Sequence, residues 1–434
     1  MHQGTRLLTL ALLAILLTAV RASAEQKIAF AQMSNGLVSA DKNIASEGQT
    51  VVLTVVPAEG YLLQYGSLLV EKIVGSDEGD YAGHTPARRK TPGIGDFVSL
   101  KQTTPNTYEF QMPATDVEIR AAFIDVENCL ELSIEATESS DATLAIEGVT
   151  LMAYRYGKDN TVVIEQINVP NDIGINDIAV YIPRTVTDKD GNTYDVTSVS
   201  PYAIYGQTNI SDIFLPDTDN PLVIAENAFR LDDKTGDAHQ IATIHTPLAL
   251  LDDYALMLSL AEHYATSHIR ATARTFHRYW TFSCGVDVKL PGNIRTYICH
   301  RVEGNRAEII QMDGQELLAD GQMVNVVKAN NGILIGTDDE EGGAYEVIAC
   351  PSEDRPSGML PSTVNAHTYK DNLLEPVIQQ CHYDGIDGCY VLSGNQFYKI
   401  LQETSDVCVP ACKAIIHLEK TKTRSLGIST DKTN

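Results

Sequence analysis

Short runs of β-branched and aromatic residues, each closed by turn residues, recur through almost the whole chain. The clearest run is Thr50–Val56, which ends in the turn segment Pro57–Tyr61. The later runs Tyr108–Pro113 and Val117–Phe123 alternate apolar and polar residues, as half-buried strands do. The sequence therefore predicts a mainly β fold.

The length of the chain predicts several domains. The chain has 434 residues, and domains of ~150 residues would give about three. Strand patterns and turn-rich segments place these domains at 25–125, 126–275 and 276–420. The polar residues 421–434 are predicted to form a disordered tail.

The N-terminal residues have the three-part pattern of a secretory signal peptide. Arg6 forms a small positive region, Leu7–Val20 is apolar, and Ala22-Ser23-Ala24 has the small-x-small pattern of a cleavage site. The apolar stretch is shorter than the ~20 residues of a spanning helix; a short membrane anchor is the alternative interpretation. No cysteine lies near the cleavage site, which argues against a lipid anchor, and no later segment is long and apolar enough to span a membrane. The sequence predicts export to the periplasm, the outer surface or the medium.

The charge of the chain bears on its partners. The formal net charge is −25, with 57 acidic against 32 basic residues. Such a surface repels nucleic acid and anionic lipid. We therefore expect no nucleic-acid partner.

The first predicted domain contains an ordered set of short motifs, separated in the middle by a predicted exposed loop at 74–96. The motifs are Gly36-Leu37-Val38, Gly48-Gln49-Thr50-Val51, Pro57-Ala58-Glu59-Gly60-Tyr61, Leu68-Leu69-Val70, Tyr108-Glu109-Phe110-Gln111-Met112-Pro113 and Ala122-Phe123. In this order they resemble the divergent B-repeat modules of internalin-type surface proteins. The resemblance implies a small β-grasp-like module that acts as a spacer or binding unit, not as an enzyme.

The second predicted domain contains internal sequence echoes. Ser198–Ile204 is echoed 25 residues later by Val223–Phe229, and Val180–Pro183 is echoed by Ile213–Pro216. The 25-residue spacing lies within the ~20–29 residues of leucine-rich repeats, whose apolar faces need stacked neighbours. The amino-acid sequences of these repeated segments resemble BspA-type leucine-rich repeats. Only about two repeats are visible, whereas adhesins of that family carry long arrays, so a large concave binding face is not expected.

A helix is predicted to cap this short array. Thr246-Pro247 has the pattern of a helix start. One face at helical spacing then carries Leu250, Tyr254, Met257, Leu258, Ala261, Tyr264 and Ala265.

The third predicted domain is again strand-like, which predicts a β-sandwich or barrel. Its first segment, Tyr279–Ser283, and its last, Val409–Ala414, resemble the C-terminal β domain that accompanies such repeats in exported proteins of Gram-negative gut anaerobes. The resemblance implies no assigned activity.

The cysteines are concentrated in the last third of the chain. Cys129 is isolated, whereas the pairs Cys381/Cys389 and Cys408/Cys412 are close enough in sequence to be candidate disulfides. Export permits such bonds. The alternative is that these cysteines are small buried core residues.

The sequence predicts no catalytic residues. Ser283-Cys284-Gly285 lacks the Gly-x-Ser-x-Gly pattern of a nucleophile elbow. Cys381-His382 places a thiol beside an imidazole, but a catalytic dyad joins separate elements in space, so adjacency in sequence means little.

No metal site or cofactor is predicted either. Asp188–Asn192 begins like a calcium loop, but the twelfth position is Val199 where an EF-hand needs glutamate. A tight turn is the preferred interpretation, and a solvated loop is preferred for the acidic run Asp338–Gly343. The 11 histidines show no His-x-His or His-Glu-x-x-His spacing.

These observations lead to three functional hypotheses. The first is a non-catalytic secreted or cell-surface binding and adhesion protein that contacts an unknown protein or glycan; it is favoured because both recognisable modules occur in exposed binding proteins. The second is an extracytoplasmic carbohydrate-binding accessory protein, for which exposed aromatic residues in a cleft would be the distinguishing feature. The third is an enzyme of unrecognised type.

The signal-peptide assignment makes a direct prediction about processing. Signal peptidase should cleave between Ala24 and Glu25 and leave no lipid on the new N-terminus, because the small-x-small motif ends at Ala24. Intact-mass measurement of the exported protein tests this, and a mature form that retains Arg6 would contradict it.

Overall fold

The structure is a computed structural model. It describes residues 25–64, 66–73, 97–155, 160–170, 174–232, 241, 243–260, 269–312, 315–317, 323–350, 371–383, 388–401, 407–418 and 423–430. The expected signal peptide at 1–24, the predicted loop at 74–96 and residues 261–265 of the predicted helix lie outside the described residues.

The chain divides into two compact units, Met1–Cys129 and Leu130–Asn434. The first unit ends close to the predicted boundary at 125/126. The second contains both of the later predicted domains. Each unit is described by itself below.

The first unit is built from short strands. They are β1 (Glu25–Phe30), β2 (Gly36–Ala40), β3 (Ile44–Ser46), β4 (Thr50–Pro57), β5 (Tyr61–Leu63), β6 (Leu69–Lys72), β7 (Phe97–Val98), β8 (Lys101–Thr104), β9 (Thr107–Gln111), β10 (Val117–Arg120) and β11 (Phe123–Asp125). One sheet has the order β3-β1-β10-β6-β7, a second has the order β2-β4-β9-β8, and β11 pairs with β5.

Alternation of apolar residues explains these strands. Val51, Leu53 and Val55 of β4 are buried in one core, while the residues between them face outward. Phe110 of β9 and Ile119 of β10 belong to the same core. The mainly β fold predicted from the sequence is confirmed for this unit.

The first half of the second unit contains twelve strands and the one α-helix described. They are β12 (Leu130–Ser133), β13 (Ala136–Glu138), β14 (Asp141–Ala145), β15 (Thr150–Arg155), β16 (Thr161–Asn168), β17 (Ile178–Tyr181), β18 (Thr185–Thr187), β19 (Thr193–Val199), β20 (Ile210–Phe214), β21 (Val223–Ile224), β22 (Thr243–Thr246), α1 (Leu251–Leu260) and β23 (Ile269–Thr275).

Two parallel ladders dominate this half. Strands β17, β20, β22 and β23 pair in parallel, and so do β16, β19 and β21. The sequence echoes are neighbours in these ladders, because Val180 pairs with Ile213 and Ser198 pairs with Val223. The segments that resemble each other in sequence therefore stack directly on each other.

The turns that follow the echoed strands are also equivalent. Tyr202 and Asn227 lie 25 residues apart, and both have a φ of 60°, in the left-handed region. The backbone N–H of Tyr202 donates to the carbonyl of Asn227 at 3.0 Å. Left-handed backbone is uncommon outside glycine, so its recurrence at matching positions indicates a repeated turn.

The helix starts where the sequence predicts. Pro247 precedes a short 3-10 turn, and α1 follows. The buried Tyr254 hydroxyl accepts a hydrogen bond from the N–H of Leu222 at 2.8 Å, and the N–H of Ile224 lies 3.3 Å from Met257 Sδ. Helix side chains thus satisfy backbone groups at one edge of the shorter ladder. In the described part of the chain, no helix has the length and apolarity needed to cross a membrane.

The second half of this unit is again made of strands. They are β24 (Tyr279–Phe282), β25 (Asp287–Pro291), β26 (Arg295–Glu303), β27 (Arg306–Gln311), β28 (Gln315–Leu317), β29 (Met323–Val327), β30 (Ile333–Gly336), β31 (Gly343–Cys350), β32 (Leu374–Val377), β33 (Cys381–Tyr383), β34 (Cys389–Ser393), β35 (Gln396–Lys399), β36 (Val407–Val409), β37 (Lys413–His417) and β38 (Ser425–Thr430).

One sheet crosses the predicted boundary at 275/276. Strand β23 pairs with β31 from Arg270, opposite Ile348, to Thr275, opposite Gly343. The complete sheet has the order β14-β13-β17-β20-β22-β23-β31-β25-β29-β28. The division between 126–275 and 276–420 therefore does not separate compact units, because both segments contribute strands to this sheet and side chains to one core.

A nine-stranded sheet forms the rest of the unit and curls towards closure. Its order is β24-β30-β26-β27-β38-β35-β34-β37-β32, and the first strand also contacts β37. A Cβ atom on Gly332 would lie 2.6 Å from the carbonyl oxygen of Leu374, so only glycine permits this approach of β30 to β32. Tyr390, Phe397 and Leu426 are fully buried inside the sheet.

The predicted disordered tail is wrong over residues 425–430. This segment is β38, which pairs in parallel with β27 and antiparallel with β35. Leu426 is fully buried and Ile428 packs against the same core. These two apolar residues alternate with small and polar ones, which is a strand pattern too short to stand out from the polar residues around it. Residues 421–422 and 431–434 lie outside the described residues.

A partly buried carboxylate lies in the first parallel strand of the shorter ladder. Ser200 Oγ donates to Glu165 Oε1 at 2.8 Å. Burial raises the pKa of Glu165 from 4.5 to about 7, and the hydrogen bond from Ser200 offsets this rise only in part. Because the folded-state pKa is the higher one, this carboxyl group contributes stability that is fully present below about pH 4.5 and is lost as the pH rises through about 7.

Glu165→Gln should remove this pH dependence. The variant keeps an acceptor for Ser200 but cannot ionise, so its free energy of unfolding should exceed that of the wild type by about 2–3 kcal/mol at about pH 8, and by much less at about pH 5. Urea unfolding at both pH values measures the difference, with the exposed Glu147→Gln as the matched control. An effect of equal size at both pH values would contradict this account.

Candidate functional site

Ser283 has a structural role in the described residues. Its side chain is fully buried, and its hydroxyl donates to the carbonyl oxygens of Lys413 at 2.6 Å and Val377 at 3.3 Å. The hydroxyl thus ties the end of β24 to β37 and β32. No histidine takes part in these contacts.

The other candidate nucleophile, Cys381, is exposed on a two-stranded ribbon. Cys381 of β33 lies opposite Val409 of β36, and His382 lies opposite Cys408. The imidazole Nε2 of His382 is 3.4 Å from the side-chain nitrogen of Gln380. Successive residues of a strand point to opposite faces of the ribbon. Cys381 and its sequence neighbour His382 therefore point away from each other.

The candidate disulfide pairs are not bridged, because all eight cysteines are free thiols in the structure. The two members of each pair lie in different environments: Cys381 and Cys408 are exposed, whereas Cys389 and Cys412 are buried. The sulfur of Cys412 lies 3.3 Å from the carbonyl oxygen of Leu248, beside the start of α1.

A buried carboxylate connects the start of α1 to the bend before β25. The thiol of Cys284 donates to Asp252 Oδ1 at 2.7 Å, and the N–H of Gly285 donates to Oδ2 at 2.6 Å. Burial raises the pKa of both Asp252 and Cys284. A thiol with a raised pKa is a poor nucleophile, so this contact fastens the helix to the sheet.

The calcium-like segment at 188–192 is a tight turn. Asp188 Oδ1 accepts hydrogen bonds from the backbone N–H groups of Asp190 at 3.0 Å and Asn192 at 2.9 Å, and Gly191 has a φ of 86°. The Asn192 side chain and the Tyr194 hydroxyl donate to the same carboxylate, and these hydrogen bonds lower the pKa of Asp188 to about 2. The turn itself uses the oxygens that a calcium ion would need.

The acidic segment at 338–343 is also held by local contacts. Asp339 Oδ1 accepts from the N–H of Glu341 at 2.9 Å, and Asp338 pairs with Arg295 at 2.8 Å. Across the described ranges, no three or more His, Cys, Asp or Glu side chains are grouped so that they could hold a metal ion.

One polar cluster lies on the longer parallel ladder. Asp212 accepts from His245 Nε2 at 2.8 Å and from Ser211 Oγ at 2.7 Å, and Ser139 donates to it as well. Burial raises the pKa of Asp212, but these hydrogen bonds outweigh it and leave the pKa lowered. Both hydroxyls donate to the carboxylate, whereas in a nucleophile relay the hydroxyl donates to the imidazole.

The described residues do form one well-defined pocket, which we call the Trp280 pocket. Its volume is about 420 Å³, within the ~300–1,000 Å³ range of small-molecule sites. Its walls come from the end of β23, the bend at 276–278, β24, the turn between β34 and β35, β36, and the start of β37.

Aromatic side chains form one wall of this pocket. Phe276 is 77% exposed, Tyr279 is half-buried, and Trp280 is 7% exposed. The backbone N–H of Tyr279 donates to Asn395 Oδ1 at 3.3 Å, which fixes the wall to the β34–β35 turn. The pocket thus presents aromatic surface that the second functional hypothesis requires.

The polar side of the pocket is cationic. Arg274 and Lys413 line it together with His277, and no aspartate or glutamate is among those lining residues that the structure describes. Lys413 Nζ lies 4.5 Å from the centroid of the Trp280 ring, in cation–π contact. Burial lowers the pKa of Lys413 to about 8, although the neighbouring Cys412 opposes this shift.

The indole N–H of Trp280 has no hydrogen-bond partner although it is buried. A buried donor without an acceptor costs ~1–3 kcal/mol, so such groups are rare and mark places where a structure is incomplete without a ligand or water. The Lys413 ammonium, which lies 4.5 Å from the centroid of the Trp280 ring, is itself a donor.

Comparison with known proteins identifies one module. Residues 27–65 match the divergent InlB B-repeat domain family. The match covers the motifs from Gly36 to Tyr61 that carry the resemblance in the sequence. No curated protein and no solved structure matches the chain.

Sequence reasoning did not identify the pocket as a site. Its residues carry only strand patterns in the sequence, and Phe276 and Arg274 belong to no recognisable motif. A signal was nevertheless present: the two segments that resemble a known C-terminal domain best, Tyr279–Ser283 and Val409–Ala414, both line the pocket. Their contact could not be inferred because about 130 residues separate them in the chain.

The thiol environments predict an order of reactivity. In the reduced, folded protein, iodoacetamide should modify Cys381 and Cys408 first, because both are exposed. Cys299 and Cys412 should resist, since burial raises the pKa of each to about 12 and leaves little thiolate. Peptide mapping of the labelled native protein tests this, and labelling of Cys412 as fast as that of Cys408 would contradict it.

Proposed function

We propose that this protein is a non-catalytic, exported binding protein that contacts a glycan through the Trp280 pocket. The observation that carries the proposal is the pocket itself, a cavity of about 420 Å³ with an exposed aromatic rim. Aromatic rings pack well against the apolar faces of sugar rings, and binding sites combine such surface with a few fixed polar groups.

The domain composition supports this proposal. The matched B-repeat segment, which we interpret as part of a small β-grasp-like module, belongs to a kind of module found in surface proteins. We further propose that the parallel ladders of the second unit are a short BspA-like leucine-rich-repeat array with α1 as its cap. Both assignments favour the periplasm, the outer surface or the medium as the location, with adhesion as the role.

The contacts of the candidate nucleophiles also favour binding over catalysis. In the described residues, Ser283 bonds to carbonyl oxygens, and Asp212 takes the serine hydroxyls that a relay would direct to His245. The glycan hypothesis is preferred to a protein partner because the pocket is a cavity, and protein interfaces are broader surfaces.

Phe276→Ala should weaken glycan binding about fivefold, because an aromatic contact contributes about 1 kcal/mol. The mature chain would first be screened on a glycan array, and calorimetry would then compare the variant with the wild type. Tyr398→Ala removes another exposed aromatic side chain of the same unit outside the pocket and is the matched control.

Two outcomes would contradict the proposal. Absence of binding to any glycan on the array would contradict the proposed glycan-binding function. Equal effects of Phe276→Ala and Tyr398→Ala would show that a bound glycan lies elsewhere on the protein.

A further inference from the structure

We propose that the Trp280 pocket selects sugars that carry a carboxylate on the pyranose ring. This inference rests on the proposed glycan-binding function and names the ligand class for it. It follows from the charge of the pocket, from the contacts of Lys413, and from the aromatic residues that line the same cavity.

The pocket differs in charge from the rest of the protein. The chain has a formal net charge of −25, yet among the described residues the pocket is lined by Arg274, His277 and Lys413 and by no carboxylate. Elsewhere in the second unit, several cationic side chains pair with carboxylates, for example Arg155–Asp188, Arg270–Glu346, Arg295–Asp338 and Lys328–Asp287.

Arg274 and Lys413 lack such a partner among the described residues. The ammonium of Lys413 rests on the Trp280 ring at 4.5 Å and makes no ion pair there. A desolvated cation without an anion is costly, and burial accordingly lowers the pKa of Lys413. An anionic ligand group would supply the missing charge in a site where hydrogen bonds to ionised groups are strong.

The donors of the pocket match a carboxylate in number and kind. The Arg274 guanidinium and the Lys413 ammonium can only donate hydrogen bonds. A carboxylate can only accept them when it is ionised, with two oxygens available.

The aromatic wall indicates that the anion is attached to a ring. Phe276 and Tyr279 line the same cavity as Arg274 and Lys413. A small inorganic anion would leave this wall uncovered. A pyranose ring could cover it with its apolar face while its carboxylate reaches the cationic side.

Calorimetry with matched ligand pairs tests the proposal on the mature chain. The first pair is an oligogalacturonate and its methyl ester, which share the ring but differ in charge. The second pair is sialyllactose and lactose, which tests a carboxylate from a different sugar. Inorganic phosphate is the control for a site that accepts any anion.

We expect one acid, or both, to bind at least about tenfold more tightly than its neutral partner, because a charge-assisted hydrogen bond contributes ~1.5–3 kcal/mol. Arg274→Gln and Lys413→Met should each reduce the ratio of the affinity for the acid to the affinity for the neutral ligand about tenfold. Arg306→Gln removes an equal charge from an exposed site outside the pocket and should have no effect.

If neither acid binds more tightly than its neutral partner, the carboxylate inference is overturned and the glycan-binding function stands. Binding of phosphate as tight as that of the acids would overturn it as well. If neither acid nor neutral sugars bind, both the inference and the proposed function fail.

The pH dependence of binding tests the role of Lys413 in the wild-type protein itself, where misfolding of a variant cannot affect the result. Affinity for the acid should fall as the pH rises through about 8, because Lys413 loses its proton there. Arg274, His277, Tyr279 and Cys408 are the other titratable or charged groups lining the pocket. Lys413→Arg should retain the preference at about pH 9, since a guanidinium stays protonated; a parallel fall in this variant would assign the effect to another group.

Discussion

The pairing of β23 with β31 is the interaction on which the second unit depends. Strand β23 has the parallel ladder on one edge and β31 on the other, and this second pairing extends from Arg270 to Thr275. Without it, both edges would expose unpaired backbone groups. Because the chain continues from β23 through 276–278 into β24, the same pairing fixes Arg274 and Trp280 at the pocket.

Hydrogen bonds made by side chains of α1 add to the strand pairing in holding the two halves of the unit together. Asp252 binds the Cys284 thiol and the Gly285 N–H directly after β24, while Tyr254 binds a backbone group beside β21. One helical turn therefore connects the repeat-like ladder with the strand that carries Trp280. Removing one partner of a buried hydrogen bond lowers the free energy of unfolding by more than the bond itself contributes, because the remaining polar group stays buried without a partner. The two halves of the unit are thus held in a fixed relation by both backbone and side-chain contacts.

The sequence predicted those features that depend on local patterns. Alternation predicted the strands, the 25-residue echo predicted the stacking of Ser198 on Val223, and Pro247 predicted the helix start. It could not predict the pairing of β23 with β31, which joins segments about 75 residues apart. The predicted domain boundary at 275/276 and the predicted disordered tail were wrong because the strands at these two places pair with strands far away in the sequence. The pocket depends on the same kind of contact.

The net negative charge of the protein and the cationic side chains of the pocket act on different parts of a ligand. The pocket attracts an anionic group inside it, and the rest of the protein repels the parts of a polyanion that lie outside. At physiological ionic strength, charges are screened beyond ~8 Å, so a single sugar in the pocket experiences mainly Arg274 and Lys413. A long polyanion would extend beyond the pocket along a protein whose formal net charge is −25. Screening reduces this repulsion but does not remove it close to the surface. The same charge distribution therefore favours a short acidic sugar, or the end of a chain, over an extended polyanion such as nucleic acid.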